Sequence, residues 1–311
     1  MDNEGMNKRA KRISSSPSVS SMVGNDGDDD RILKLPDTLI LHILSFLPTE
    51  EVVRTCILSK RWKLIWYSVP TIFFSNNVNL SSTMDTAKLM EWEHGLEKFY
   101  NYVDKYLEHR KKAENKVTEM YLCIGQAYIT GHHFMGPFYC IPKINARYLT
   151  ILELNWVQLD ASHFNFPSLK TLSMETVKNS DIVEHGEAFK FLLGCPSLEK
   201  LQVQNYFFLR SDEMALRLQS LSLKFLELKD TVYDELQVEA INLESLVLCG
   251  SSVHNINLSA CKKIRNLSFY DTSYHCKPSL NALISQIPLL ENLTLVTKEK
   301  YKDHVKISVN N

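Results

Sequence analysis

The sequence predicts an α/β chain in which a small N-terminal unit of three helices is followed by a right-handed solenoid of short parallel strands. Three observations predict it. Apolar residues recur at intervals of three and four between Leu35 and Trp66, a phrase of the form L-x-x-L-x-L returns eight times after Val117, and residues 1 to 30 contain almost no large apolar side chains. With 311 residues, 44% of them hydrophobic, the chain has material for two domains or one elongated array with a sizeable core.

Charge and composition remove several function classes. Lysine and arginine total 35 against 36 aspartates and glutamates, a net charge of -1, so no long-range field draws nucleic acid or an anionic membrane. No run approaches about 18 apolar residues, and the chain opens on polar and charged residues, so neither a membrane span nor secretion is expected. The expectation is a soluble intracellular protein, in the nucleus and/or the cytoplasm. The seven cysteines, Cys56, Cys123, Cys140, Cys195, Cys249, Cys261 and Cys276, are odd in number and widely spread, so they read as reduced thiols. A zinc constellation can be drawn from Cys123, His132, His133 and Cys140, but the close-spaced ligand pairs of structural zinc sites are missing, so no metal and no cofactor is expected. There is no Gly-rich phosphate loop, no H-E-x-x-H and no G-x-S-x-G, and the chain is expected to be non-catalytic.

Residues 1 to 30 divide into a basic cluster (Lys8, Arg9, Lys11, Arg12), a serine-rich stretch and an acidic run (Asp26, Asp28, Asp29, Asp30), a composition that cannot offset chain entropy by burial. They are expected to be a disordered tail. The basic cluster resembles a short nuclear-import signal, with a solubilising role as the plain alternative. From Leu35 the pattern changes. Leu39, Ile40, Ile43, Leu44 and Leu47 form one helical stripe bounded by Pro36 and Pro48, a second helix begins near Thr49 with Val52, Val53, Cys56 and Ile57, and a third comes after Ser59 as N-cap. So many large apolar groups cannot all point into so small an interior, and some are expected to be covered by a partner.

The run L-P-D-T-L-I-L-H-I-L-S-F-L-P-T-E-E-V-V-R-T-C-I-L-S-K-R-W-K-L-I-W, Leu35 to Trp66, resembles an F-box, in the form found in plant-type F-box/leucine-rich-repeat proteins. The resemblance implies an F-box over residues 31 to 75 that docks on the SKP adaptor of an SKP–cullin–F-box ubiquitin ligase. Carried over position by position, it implies a docking surface that includes Leu35, Pro36, Leu39, Ile43, Leu44, Leu58 and Trp62. The plainer reading of Ile43, Leu47, Val53 and Trp66 is core.

Residues 75 to 84 read as a polar connector. A helix is then expected from about Asp85 to Lys112, with Leu89, Trp92, Leu96, Phe99, Val103 and Leu107 on one face. The stripe is short for a coiled-coil seam, so the helix is assigned as a cap over residues 85 to 112 on the first turn of the solenoid, and the protein as a monomer within a hetero-complex. The repeats occupy residues 117 to 311. Their middle positions are Met120, Leu152, Leu172, Leu201, Leu226, Leu246, Leu267 and Leu293, which advance by 32, 20, 29, 25, 20, 21 and 26, mostly within the leucine-rich-repeat range. Each phrase makes a short strand with alternate side chains inward, and one unit cannot cover its own apolar face without neighbours. A loop insertion containing His132 and His133 accounts for the long first interval.

The stretches F-P-S-L-K-T-L-S-M-E-T-V (Phe166 to Val177) and F-L-L-G-C-P-S-L-E-K-L (Phe191 to Leu201) resemble the repeats that come after the F-box in the same family, which extends the resemblance over roughly residues 31 to 297. One departure concerns the turns. Val157, Val177 and Tyr206 stand where an asparagine or cysteine is usual, so a regular side-chain ladder is not expected. Many members also continue into a further C-terminal region, whereas Val305, Ile307 and Val309 here alternate as a last strand would, leaving the terminal edge covered or open. If the strands are parallel, the concave face is polar or charged at first and then loses formal charge at Val247, Cys249, Ser268, Tyr270, Thr294 and Val296, which are the candidate target-binding residues. Ordinary strand-forming residues are the plainer reading. The sequence thus points to a substrate-recognition subunit of a cullin-based ubiquitin ligase, with no nucleic-acid or membrane partner. The alternative is a leucine-rich-repeat scaffold or inhibitor acting outside a ligase, with its helices serving only as a cap.

Overall fold

Short helices and short strands dominate the computed structural model, which describes residues 34–76, 86–111, 117–124, 128–129, 132–133, 138–144, 146–182, 187–209, 215–231, 233, 235–250, 255–271, 280–297 and 304–308. The chain divides into two units, Met1–Pro36 and Asp37–Asn311. Only Lys34, Leu35 and Pro36 of the first are described, so the tail expected over residues 1 to 30 lies outside the described residues.

The second unit opens with α1 (Asp37–Leu44), α2 (Thr49–Arg54) and α3 (Lys60–Ile65). Acidic residues stand in the first turns of α1 and α2, where the helix dipole favours them. Ser59 caps α3 as the sequence predicts, its hydroxyl accepting the Trp62 backbone N–H at 3.3 Å. Ile40, Leu44, Val52, Trp62, Ile65 and Trp66 form the interior of this helical segment, and Arg61 Nε donates to Asp37 Oδ1 at 2.9 Å, fastening α3 to the start of α1.

The next element was not expected from the sequence. Residues Thr71–Asn76 form a strand, β1, in which Ile72 and Phe74 are buried. The connector expected from residue 75 therefore starts later, because the period-two alternation of T-I-F-F-S-N runs to Asn76; residues 77–85 lie outside the described set. β1 pairs in parallel with β2 (Glu119–Ile124), so the intervening helix α4 (Thr86–Lys111) is the crossover of a β-α-β unit and not a separate lid on the first turn. Its buried stripe is Trp92, Leu96, Val103, Tyr106 and Leu107. Phe74 of β1 meets Phe99, Tyr102 and Tyr106 edge-on, with centroids 6.3, 5.9 and 5.2 Å away.

Near the end of α4 the Arg110 side chain is 5% exposed. Its guanidinium donates to the carbonyl oxygens of Trp66 (2.8 Å), Val69 (2.6 Å) and Tyr67, all in or just after the 3-10 turn that ends the helical segment. Thr49 makes the second tie, its hydroxyl accepting the Phe73 N–H at 2.8 Å.

Eight further strands complete one ten-stranded sheet in chain order: β3 (Ile151–Asn155), β4 (Thr171–Glu175), β5 (Lys200–Gln204), β6 (Phe225–Lys229), β7 (Ser245–Cys249), β8 (Asn266–Asp271), β9 (Asn292–Thr297) and β10 (His304–Ser308). The unequal intervals of the sequence converge on one ladder. Met120, Leu152, Leu172, Leu201, Leu226, Leu246, Leu267 and Leu293 are successive register partners, and Ile72 of β1 adds a ninth rung before them. All pairings through β9 are parallel. β10 is antiparallel to β9, with Ile307 opposite Leu293 and Val305 opposite Leu295, so the edge of β9 is covered; Val309 lies outside the described residues.

The turns off the strands share a backbone solution. Trp156, Thr176, Asn205, Asp230 and Gly250, each two residues past the second inward side chain of its strand, have φ of 58°, 52°, 50°, 46° and 71°. Their N–H groups donate to a carbonyl at the end of the next strand, at Glu175, Gln204, Lys229, Cys249 and Tyr270, over 2.8 to 3.2 Å. Val157 and Val177, where a polar ladder residue is usual, are fully buried and Tyr206 nearly so. The expected absence of an asparagine ladder thus coincides with a repeating left-handed turn over an apolar interior. Away from the main sheet, Val157–Leu159, Lys178–Ile182 and Phe207–Leu209 belong to one parallel sheet, with a 3-10 segment at Glu187–Gly194 in the chain between its last two strands, and Ala215–Gln219, Glu235–Glu239 and Asn255–Asn257 belong to another.

Two substitutions probe these contacts. Arg110→Met removes a buried guanidinium and strands the carbonyls of Tyr67 and Val69, and is expected to lower unfolding free energy by about 3 kcal/mol in urea titrations. A Cβ at Gly194 would lie 1.9 Å from the Phe164 carbonyl oxygen, in a segment where Gly194 O accepts the Phe166 N–H. Gly194→Ala is therefore expected to cost roughly 3 kcal/mol by overpacking, read as a lower melting temperature.

Candidate functional site

Two surfaces are candidates. The first is on the helical segment, whose interior is too small for its apolar residues. Leu39 is 49% exposed, Ile43 45% and Leu58 52%. Of the docking set that the F-box resemblance implies, these three face outward. Leu44 and Trp62 do not: they are 1% and 4% exposed and belong to the interior, because the stripe that packs α1 onto the rest of the segment runs through Ile40 and Leu44 and α3 buries Trp62 and Ile65. The buried Trp62 Nε1 has no hydrogen-bond partner among the described residues. In the first unit Leu35 is half-buried and Pro36 exposed.

Sequence reasoning missed three more exposed apolar side chains. Phe46 lies just past α1 and packs edge-on against His42 at 4.9 Å, Ile57 ends a 3-10 turn that extends α2, and Leu64 lies on α3. They are more exposed than Leu39, Ile43 and Leu58, at 74%, 88% and 70%. Helical spacing did not single them out: Phe46 is in phase with Leu39 and Ile43, and Ile57 with Val53, so the period alone does not say which stripe faces out.

The second surface is the sheet face formed by residues that alternate with the buried ones. Parallel register places Val247, Ser268 and Thr294 in one row and Cys249, Tyr270 and Val296 in the next, all half-buried, so the six candidate target-binding residues share one face. A third row beside them is an amide ladder, Asn292 Nδ2 donating to Asn266 Oδ1 at 2.9 Å and Asn266 Nδ2 to Ser245 Oγ at 3.0 Å. On β6, Glu227 is 8% exposed, accepts from Gln202 and pairs with Lys229 Nζ at 2.7 Å. Burial alone would raise its pKa, but the bonds from Gln202 and Lys229 outweigh that and hold the carboxyl below its usual range.

Towards β2 the face turns acidic. Tyr121 donates its hydroxyl to Glu119 at 3.2 Å, and Asn155 Nδ2 donates to Glu175 Oε2 at 3.0 Å. Burial, and after it the carboxylates of Glu153 and Glu175, raise the pKa of the Cys123 thiol. Among the described residues no three His, Cys, Asp or Glu side chains come together as a metal site requires; the side chains of His132 and His133 are outside the described set. No described helix is long and apolar enough to cross a membrane.

A short helical segment fused to a parallel solenoid defines the class: a repeat protein with a helical module ahead of its strands. Residues 32–74 match the F-box domain, and residues 108–277 match the repeats described as "FBD-associated F-box protein At5g56370, LRR repeats". Relatives in Arabidopsis thaliana include the F-box/LRR-repeat protein At3g26922, 30% identical over 68% of this chain and 70% of its own length, and the probable FBD-associated F-box protein At1g32375, 31% identical over 71% of this chain and 52% of its own. The putative F-box/LRR-repeat protein At5g41840 is 27% identical over 62% of this chain and 40% of its own length, and across these relatives the matched part is about half of the protein. No solved structure matches the chain. The chain belongs to the plant F-box/leucine-rich-repeat family.

Burial separates the implied docking residues by experiment. Leu44→Ala is expected to cost about 3 kcal/mol in stability as a cavity mutant, and Leu39→Ala less than about 0.5 kcal/mol, both read from chemical denaturation.

Proposed function

We propose that this protein is the substrate-recognition adaptor of an SKP–cullin–F-box ubiquitin ligase. The observation that carries the reading is the outward apolar surface of the F-box segment, Leu39, Ile43 and Leu58 with Phe46, Ile57 and Leu64, on a folded unit with no interior left to receive them. An adaptor of the SKP type covers that surface and through it reaches a cullin. Leu35 and Pro36 join the contact, while Leu44 and Trp62 support it from the interior. The target protein binds the concave face, with Val247, Cys249, Ser268, Tyr270, Thr294 and Val296 as its uncharged part.

This chain supplies proximity and no bond chemistry. Holding a target beside a charged ubiquitin carrier raises the local concentration of its lysines, and the transfer itself falls to other subunits. In keeping with that role the protein works in the nucleus or the cytoplasm, with Lys8, Arg9, Lys11 and Arg12 as the import signal.

Co-purification with the SKP adaptor tests the reading. Wild-type protein is expected to bring the adaptor down in a stable complex, and a Leu39→Asp/Ile43→Asp variant, whose changes fall on exposed positions, is expected to lose it while keeping the same melting temperature. A wild-type chain that captures no adaptor would return the protein to the class of free-standing repeat scaffolds.

A further inference from the structure

Three carboxylates on the outward face of the sheet stand apart from the other charges there. Glu119 on β2, Glu153 on β3 and Glu175 on β4 alternate with buried residues and are half-buried themselves. Register fixes their relation. Glu119 pairs with Ile151, two residues before Glu153, and Glu153 pairs with Ser173, two residues before Glu175. The three therefore form a diagonal, each step crossing one strand and advancing two residues, which from strand spacing and rise is roughly 8 Å.

None of the three has a cation beside it among the described residues, in contrast to Glu227, which has Lys229. Glu119 and Glu175 are held by neutral donors, the Tyr121 hydroxyl and the Asn155 amide. These bonds fix the carboxylates without cancelling their charge. The neighbouring groups register the resulting potential: burial and then Glu119 push the Tyr121 hydroxyl up to about 12, with Glu153 adding to the shift. Half-buried negative charge without a counter-charge is costly, and a ligand cation relieves the cost on arrival. From β7 to β9 the outward positions of the same face carry no formal charge.

We infer that the concave face takes a target segment in which basic residues at alternate positions precede an uncharged, apolar stretch. An extended chain places alternate side chains about 6.6 Å apart, close enough to the diagonal spacing for flexible lysine or arginine side chains to reach all three carboxylates. The apolar stretch beyond them meets Val247, Tyr270 and Val296. Charge complementarity along the sheet selects this occupant over an acidic or uniformly polar one. The inference deepens the assignment of the concave face as the target site and rests on it, but not on adaptor binding.

The test uses full-length protein and a displayed library of random dodecapeptides. Selected peptides are expected to be enriched in lysine or arginine at alternate positions, with apolar residues beyond them. For one synthetic dodecapeptide of that pattern, binding is expected to weaken about tenfold or more in a Glu119→Gln/Glu153→Gln/Glu175→Gln variant, and to fall as ionic strength rises. Replacing the peptide's basic residues by serine is expected to produce the same loss on the wild-type chain, which keeps the test independent of how well the variant folds. Selection without basic enrichment, failure to select any peptide, or equal binding by the triple variant would overturn the inference. A Tyr270→Asp/Val296→Asp variant separates the two readings: if it abolishes binding of the selected peptides while the triple variant does not, the concave face remains the target site and only the basic preference falls. If basic enrichment holds and adaptor capture fails, the ligase reading falls and this one stands.

Discussion

The Arg110 guanidinium is the constraint on which the arrangement of this protein depends. The helical segment ends in a 3-10 turn in which the Trp66 carbonyl receives only the Val69 N–H, at 3.3 Å, and the carbonyls of Tyr67 and Val69 have no continuing helix to receive them. A single planar cation near the end of α4 supplies donors to all three. Burial works against its charge, and three carbonyl dipoles converging on it keep the charged form there. Because α4 is also the crossover between β1 and β2, the same contact that satisfies the end of the F-box orients the first repeat. The helical segment and the start of the sheet therefore share one joint.

Beyond that joint the solenoid is maintained by repetition of one backbone event. At five successive strand ends the chain takes a left-handed residue and donates its N–H sideways to the next strand. Gly250, Asn205 and Asp230 are residue types suited to that conformation. Trp156 and Thr176 adopt it at a cost, and burial of the next side chains along, Val157 and Val177, offsets that cost. A second register device runs along the other ends of the strands, where Lys170, Glu199, Lys224, Glu244, Arg265 and Glu291 succeed one another on adjacent repeats with alternating sign. Lys224 pairs with Glu199 at 2.9 Å and Arg265 with Glu291. These pairs are exposed and stabilise little, but a repeat displaced by one place would set like charges together.

How much of this architecture was legible in the sequence depends on how local each cause is. The rungs from Met120 to Leu293 were readable because an inward residue on a parallel strand must be apolar and its period survives loops of any length. The Ser59 cap and the limits of α1 between prolines were readable for the same reason: the cause lies within a few residues. β1 was not, since T-I-F-F-S-N is too short to separate from the end of a helical region and its partner lies 48 residues further on, across α4. The docking set was half readable. A family pattern says which positions matter but not which way they face, so Leu44 and Trp62 entered a surface from which packing removes them, while Phe46, Ile57 and Leu64 needed the fold to be seen facing out. The charge alternation from Lys170 to Glu291 stood in the sequence throughout, and it becomes visible only when the repeats are aligned on their middle residues.

The two faces of the sheet are under different demands, and this decides where specificity can reside. Inward positions are fixed by packing: Leu122, Leu154, Met174, Val203, Leu228 and Leu248 are all at most 2% exposed, and a change in any of them alters the stacking of its neighbours. Outward positions carry no such duty, and the strand tolerates Glu153, Gln202, Val247 or Tyr270 equally well. A repeat of this kind can therefore exchange its outward residues without changing its backbone, so charge can collect on β2 to β4 and be absent from β7 to β9 within one regular sheet. The fold sets the spacing of a recognition surface, and the residues free of the fold set what it recognises.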